Sequence, residues 1–216
     1  MTTRRLLFAT RNAGKLRELR ALLAEARYRG DQLAVIGFDD LARPPAEVEE
    51  TGATYAENAA LKARAAAADA GLLALADDSG LDVDALDGRP GVRSARYLGL
   101  PEMARERVGL AASDADRCRW LLEELSGVPE ARRTARFRCA IALVDPAALD
   151  APVIREAACE GRILDAPRGS GGFGYDPLFY VEQLGCTFAE ASAADKNRLS
   201  HRGQAMRAMA RYLAEA

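Results

Sequence analysis

Short apolar runs alternate with stretches of helical periodicity in the first part of the chain. Leu6 to Thr10 and Leu33 to Phe38 are typical of short buried strands, and the leucines after Gly14 recur at the spacing of one helix face. A further apolar run, Leu72 to Ala76, leads into Asp77-Asp78-Ser79-Gly80, which predicts a buried strand that ends in a turn at two carboxylates. The alternation of strands and helices indicates an α/β fold.

Two more helices are predicted from their start signals. Thr54 is followed three residues later by Glu57, which predicts a capping box for a helix that runs to about Asp69 and stops at Gly71. Ser113 to Leu125 has the pattern of another helix that covers one face of the fold.

The second half of the chain adds strands and a closing helix. Arg136 to Val144 and Val153 to Arg162 are rich in strand-forming residues and are separated by the Asp145-Pro146 turn, so we expect an antiparallel pair within a mixed sheet. Ser200 is placed to cap the closing helix. No repeat, low-complexity tract or flexible linker interrupts the sequence, which predicts one domain over residues 1–216.

Composition argues against several classes of partner. Thirty Lys and Arg residues against 32 Asp and Glu leave a net charge of −2, without the basic run that holds a nucleic-acid backbone. No stretch approaches the ~18 apolar residues of a membrane helix. The four cysteines include no CxxC pair, so neither a zinc site nor a disulfide framework is indicated. We therefore expect a cytoplasmic protein that binds a small molecule, with no nucleic acid and no membrane as partner.

The polar segment Thr10-Arg11-Asn12-Ala13-Gly14-Lys15 joins the first strand to the first helix. It is superficially similar to a P-loop, but Ala9 stands where the first glycine belongs and Leu16 where the magnesium-binding Ser or Thr belongs. Backbone N–H groups at a helix start, with a lysine beside them, still make a good phosphate seat. The alternative is an ordinary strand-to-helix turn with a solvated lysine.

The glycine-rich loop Gly169 to Gly174 satisfies the GxGxxG pattern of dinucleotide-binding proteins. Asp176-Pro177 follows directly, and a residue before proline favours extended backbone, so no helix is expected to open here. Phe173 and Tyr175 with Asp176 better suit an aromatic platform for a flat base, with a carboxylate at its edge. The alternative for the two aromatic residues is that they are core anchors.

Carboxylates make a third candidate site. Glu49, Glu50, Asp77 and Asp78 form an acidic set, and carboxylates at a buried strand end need a cation, for which Mg²⁺ with triphosphate oxygens is the usual companion. A plain Asx turn at Asp77 is the alternative. The only histidine, His201, is by itself more typical of a structural residue than of a metal ligand.

Seven segments together resemble the inosine triphosphate pyrophosphatase family, also called XTP/dITP diphosphatases. They occur in the family's order and cover nearly the whole chain. The segments are ATRNAGK at 9–15, EETG at 49–52, YAENAALKA at 55–63, ADDSGL at 76–81, PGVRSARY at 90–97, GGFGYDPLF at 171–179 and KNRLSHRGQA at 196–205.

The resemblance implies an activity and roles for individual residues. The activity is hydrolysis of deaminated purine nucleoside triphosphates (dITP, ITP and XTP) to the monophosphate and pyrophosphate, which cleans the nucleotide pool. Asp78 would accept the proton and bind Mg²⁺, with Glu50 as the second magnesium carboxylate. The substrate would be contacted by Thr10, Arg11, Asn12, Ala13, Gly14, Lys15, Lys62, Ser79, Phe173, Gly174, Tyr175, Asp176, Lys196, His201 and Arg202.

The family also implies an architecture: a homodimer of two-lobed α/β subunits, each built around a long mixed β-sheet with the active-site cleft between the lobes. Two segments, Arg27 to Gln32 and Leu98 to Asp114, are longer than expected for the family. Neither interrupts a motif. Two other functions stay open at this point: a sensor that binds a purine nucleotide without hydrolysis, and a pyrophosphatase of a different nucleotide.

Overall fold

A computed structural model describes residues 3–24, 26–43, 45–46, 48–99 and 111–215. The central part of the long 98–114 segment, residues 100–110, lies outside these ranges. Within them, no helix combines the length and the apolar character needed to cross a membrane. The four cysteines are free thiols.

One mixed β-sheet organises the chain. Its strands follow the order β2-β3-β1-β4-β6-β7-β8-β9, with β5 paired to β4. Strand β1 is parallel to β3 and β4, whereas the β2–β3, β4–β5, β7–β8 and β8–β9 pairs are antiparallel. The strands are β1 Thr3–Phe8, β2 Arg27–Tyr28, β3 Asp31–Ile36, β4 Leu73–Val83, β5 Pro90–Gly91, β6 Thr134–Val144, β7 Val153–Ile163, β8 Phe179–Val181 and β9 Cys186–Thr187. The predicted mixed α/β fold is confirmed.

Five α-helices lie in the described part of the chain: α1 Ala13–Leu22, α2 Tyr55–Ala70, α3 Asp114–Glu124, α4 Ala193–Leu199 and α5 His201–Glu215. Helix α2 has the predicted capping box of Thr54 and Glu57, and its C-cap Gly71 takes a left-handed φ of 62°. Ser113 caps α3 in the same way. The polar start signals thus place these helix ends correctly, because they satisfy backbone N–H groups that the helix leaves without partners.

The chain forms two compact units, each assembled from separate stretches. The first contains Met1–Asp78, Cys139–Ala157 and His201–Ala216, and the second contains Ser79–Arg138 and Ala158–Ser200. The prediction of one domain, and of a cleft between two lobes, stays a prediction.

Each unit has its own apolar core. In the first unit, Leu19 of α1 and the α5 methionines Met206 and Met209 share a core with buried strand residues. The second unit is centred on aromatic residues, with the Phe137 and Phe179 ring centroids 4.5 Å apart.

The structure corrects the prediction for the two adjacent aspartates. No turn interrupts the chain at Asp77 to Gly80, because β4 runs on to Val83 and its Leu81 pairs with β5. Strand pairing satisfies the backbone of this segment, and the two carboxylates find cationic partners while buried. The alternative of a plain Asx turn at Asp77 is therefore wrong as well.

Several short elements were also not predicted, among them strands β5, β8 and β9. The long Arg27 to Gln32 segment forms a hairpin, in which β2 pairs with β3 across Arg29 and Gly30. Both turn residues have positive φ, 51° and 85°, which suits a tight connection. Helix α4 precedes the closing helix and was not predicted.

Candidate active site

The predicted phosphate loop lies at the start of α1. Asn12 is the N-cap of this helix, and its Oδ1 accepts a hydrogen bond of 3.1 Å from the Lys15 backbone N–H. A Cβ at Gly14 would lie 3.0 Å from the same Asn12 oxygen, so glycine leaves room for the cap. A cavity of about 290 Å³ is lined by Thr10, Arg11, Asn12, Ala13, Leu16, Phe38 and Asp39. A hollow at a helix N-terminus suits an anion.

Lys15 projects from this helix to a buried carboxylate. Its Nζ lies 2.9 Å and 3.2 Å from the two oxygens of Asp77, which is 3% exposed. Arg202 donates through Nε to Asp77 at 3.2 Å, and its guanidinium lies 3.6 Å from Glu18. Burial would raise the pKa of Asp77, but Lys15 and Arg202 outweigh it and hold that pKa well below its ordinary value. Asp77 is therefore ionised and binds both cations.

A second carboxylate cluster surrounds Lys62. Its Nζ lies 2.7 Å from Oε1 of Glu50 and 3.0 Å from Oδ1 of Asp78. Asn58 donates from Nδ2 to the other oxygen of Asp78 at 3.3 Å. Burial raises the pKa of Asp78 above its ordinary value, although Lys62 opposes the shift. Burial would lower the pKa of Lys62, but the attraction of Asp78 and Glu50 prevails and raises it.

The donor set in this cluster fits the predicted magnesium ion. Glu50 and Asp78 each place an oxygen within 3.0 Å of a single ammonium nitrogen, so one cation can contact both carboxylates. Among the described residues, no group of three or more His, Cys, Asp or Glu side chains is placed to hold a metal ion. Mg²⁺ is commonly held by one or two carboxylates, with waters and substrate phosphates completing its shell. Two carboxylates are therefore sufficient.

The second unit contains the predicted base-binding residues. Phe173 is 38% exposed, and the Lys196 ammonium lies 4.7 Å from the centre of its ring. Lys196 also forms an ion pair of 2.6 Å with Asp176, which accepts a 2.7 Å hydrogen bond from the Phe173 backbone N–H. A Cβ at Gly172 would lie 2.1 Å from the Asp176 carboxylate, so only glycine fits there. Phe173 is thus held in an exposed position that suits stacking.

Tyr175 has a different environment. It is 3% exposed, and its hydroxyl donates to the Ser94 carbonyl oxygen at 3.0 Å. This matches the core-anchor alternative. The neighbouring Gly174 donates its backbone N–H to Asp114 at 2.7 Å, which ties the glycine-rich loop to the start of α3. No helix begins directly after this loop, as the Asp176-Pro177 pair predicted.

The sequence-predicted residues fall into two sets. The first unit brings together the Thr10 to Lys15 loop, Glu50, Lys62, Asp78 and Arg202, with the buried His201 at the start of α5. The second set, in the other unit, consists of Ser79, Phe173, Gly174, Tyr175, Asp176 and Lys196. That both sets contact one substrate stays a prediction.

Glu18 and Asn58 of the first unit were not assigned a role from the sequence, and Asp77 was placed in the acidic set without its partners Lys15 and Arg202. Asn58 had a usable signal, because it lies four residues before Lys62 and so shares its helix face. Asp77 had one as well, since alternation along a strand gives adjacent residues different partners.

The fold and the site define an α/β protein whose clustered lysines and carboxylates suit a phosphate-bearing ligand and a divalent cation. The chain belongs to the Ham1 family, whose family model matches residues 6–212. It is 48% identical over 210 residues to a dITP/XTP pyrophosphatase of Methylococcus capsulatus, covering 97% of this chain and 96% of the relative. A dITP/XTP pyrophosphatase of Geobacillus kaustophilus is 48% identical over 202 residues, covering 93% and 90%.

Solved structures give the same assignment. A HAM1 protein from Coxiella burnetii matches with a TM-score of 0.85 and 40% identity, over 99% of this chain and 100% of that one. A nucleoside-triphosphatase described as a dITP/XTP pyrophosphatase from Mycobacterium abscessus matches with a TM-score of 0.72 and 38% identity, over 95% and 98%. The similarity therefore extends over the full fold.

Proposed function

We propose that this protein hydrolyses deaminated purine nucleoside triphosphates, dITP, ITP and XTP, to the nucleoside monophosphate and pyrophosphate. The names of the full-length relatives support the substrate class. The observation that carries the chemistry is the placement of Lys62 between Glu50 and Asp78, because it puts a base, a cation and a second carboxylate in one cluster. In the cell, this activity would remove damaged nucleotides from the pool.

The reaction follows from the charges of these groups. A water molecule attacks the α-phosphorus, Asp78 accepts its proton, and the bond from the α-phosphorus to the bridging oxygen breaks as pyrophosphate leaves. Lys15 and Lys62 supply positive charge for the phosphate oxygens, where negative charge grows during the reaction.

Glu50 and Asp78 would hold the magnesium ion, which when bound supplies positive charge to the triphosphate oxygens. The two carboxylates would orient the ion. Without the ion, Lys62 neutralises the charge of both carboxylates.

Base selection would rest on hydrogen-bond polarity. Hypoxanthine and xanthine present a carbonyl acceptor at the 6-position, whereas adenine presents an amino donor there. Lys196 and Arg202 have donors only, and the His201 ring can also offer an N–H. Donors of this kind would pair with the carbonyl and would leave the adenine amino group facing another donor, which rejects adenine. Phe173 would stack on either ring and would not discriminate.

We further propose that the protein is a cytoplasmic homodimer that binds small molecules rather than nucleic acid or membrane. The family resemblance supports the dimer, and the four free thiols suit a reducing compartment. Sedimentation equilibrium measures the subunit number directly, and a monomer at micromolar concentration contradicts the dimer.

The test is a pyrophosphate-release assay over a panel of purine and pyrimidine nucleoside triphosphates, with and without Mg²⁺. We expect dITP, ITP and XTP to be cleaved far faster than ATP or GTP, only when Mg²⁺ is present. Nucleotide binding without pyrophosphate release indicates a sensor instead. Preferential cleavage of another nucleotide refutes the proposed substrate class.

A further inference from the structure

The side chain of Asn58 connects the two carboxylates of the proposed magnesium site. This residue lies in the first turn of α2 and is 1% exposed. Its Oδ1 accepts a 2.8 Å hydrogen bond from the backbone N–H of Gly52, two residues after Glu50. Its Nδ2 donates to Oδ2 of Asp78. One amide thus contacts both the loop that carries Glu50 and the carboxylate of Asp78.

The orientation of this amide is fixed by its partners. A backbone N–H can only donate, so the oxygen of Asn58 must face Gly52 and its NH₂ group must face Asp78. Asp78 is then held at both oxygens, by Asn58 at Oδ2 and by Lys62 at Oδ1. A carboxylate held at both oxygens cannot rotate freely, which leaves it in one orientation toward a cation.

The loop that carries Glu50 is held against the same helix turn. Glu57 accepts hydrogen bonds from the backbone N–H groups of Ala53 and Thr54, at 2.7 Å and 3.2 Å. A Cβ at Gly52 would lie 2.7 Å from Asn58 Oδ1, so the loop approaches Asn58 more closely than a side chain would allow. The close contact of Gly52 with Asn58 therefore fixes the Glu50 loop relative to Asp78, whereas the contacts of Glu57 cap the helix.

We propose that Asn58 is a positioning residue that sets the separation and orientation of Glu50 and Asp78 for the divalent cation. This role rests on the proposed function, because it needs a magnesium ion at these carboxylates. Side chains that orient metal ligands typically change metal affinity by about tenfold to a hundredfold when they are lost.

The experiment measures the affinity of an inosine triphosphate analogue with a nitrogen bridge between the α- and β-phosphorus atoms, by calorimetry, in Mg²⁺ and in EDTA. The dissociation constant in EDTA divided by that in Mg²⁺ measures how strongly the metal tightens nucleotide binding, without any turnover. For Asn58→Ala and the similarly sized Asn58→Leu, we expect this ratio to fall by about tenfold or more, with the affinity in EDTA unchanged.

Thr54→Ala is the matched control. Thr54 caps the same helix, because its Oγ1 accepts a hydrogen bond from the Glu57 backbone N–H. The substitution removes this cap without removing a hydrogen bond to Glu50 or Asp78. A purely structural role for Asn58 would make Thr54→Ala reduce the magnesium effect equally. The proposed role predicts that Thr54→Ala lowers only the melting temperature.

Several outcomes overturn the inference. The positioning role is refuted if the magnesium effect is unchanged in the Asn58 variants, or if Thr54→Ala reduces it equally. Pyrophosphate release by the wild-type protein would still support the proposed function in that case. A wild-type protein that shows neither magnesium-dependent tightening nor pyrophosphate release refutes the proposed function itself, and this role with it. If both Asn58 variants unfold, Gly52→Ala displaces the amide without removing it, and an unchanged magnesium effect there is equally decisive.

Discussion

Replacing Asp77 with alanine should strongly destabilise the protein. The substitution leaves Lys15 and Arg202 without the carboxylate that both contact, and the side chain of Arg202 is only 6% exposed. The remaining acidic partner of Arg202 is Glu18, at 3.6 Å. Removing one partner of a buried ion pair costs about 3–5 kcal/mol, because the other charge stays out of water.

The assay is urea unfolding without Mg²⁺ or nucleotide, supported by thermal melting. For a chain of this length, such a loss lowers the melting temperature by about 10 °C. Asp150→Ala is the control, because Asp150 pairs with Arg64 at 3.6 Å while 97% exposed and should change the free energy of unfolding by less than about 0.5 kcal/mol. A loss below about 1 kcal/mol for Asp77→Ala would refute the inference that this carboxylate stabilises the buried Arg202 and the half-buried Lys15.

Four further predictions concern catalysis and pH. Asp78→Asn should lower kcat by about 100-fold or more while analogue binding and folding persist, and near wild-type turnover would exclude Asp78 as the base. Glu50→Gln should raise the Mg²⁺ concentration for half-maximal rate by about tenfold, and an unchanged magnesium curve contradicts its role as a ligand. Phe173→Ala should lower kcat/KM for ITP and ATP alike; a changed ratio would mean that this ring selects the base. For Asp114, burial would raise the pKa, but Gly174 and Arg117 outweigh it and lower that pKa below 3.8. The ionised Asp114 therefore contributes its full stabilisation above pH 3.8, and this contribution is lost as the pH falls through the lower folded-state pKa. In urea titrations between about pH 5 and pH 2, wild type should lose more stability than Asp114→Asn.

Local signals account for what the sequence predicted correctly. The capping box of Thr54 and Glu57 and the stop at Gly71 act within one or two helix turns, so α2 could be bounded from the sequence alone. Strands β6 and β7 follow from dense apolar and β-branched residues on either side of a turn. The helix start at the Thr10 to Lys15 loop was predictable for the same reason, since a helix N-terminus needs only its own cap and loop; that it binds phosphate stays a prediction.

The course of β4 could not be predicted because it depends on distant partners. Two adjacent aspartates favour a turn when considered alone, and the strand continues because their charges are met inside the fold. For Asp77 those partners are Lys15, 62 residues away, and Arg202, 125 residues away. The same limit explains why Glu18 had no sequence signal: its proximity to Arg202 arises only once α1 and the closing helix are folded.

The continuous strand through Asp77 and Asp78 also restricts how this protein can change in length. Successive side chains of a strand point to opposite faces, and the two aspartates form ion pairs with different lysines, Asp77 with Lys15 and Asp78 with Lys62. Inserting or deleting one residue between Leu73 and Asp77 would exchange the faces of the two carboxylates, whereas a change of two residues would preserve their parity. Homologous strands at this position should therefore differ in length only by even numbers of residues, or else compensate with a bulge.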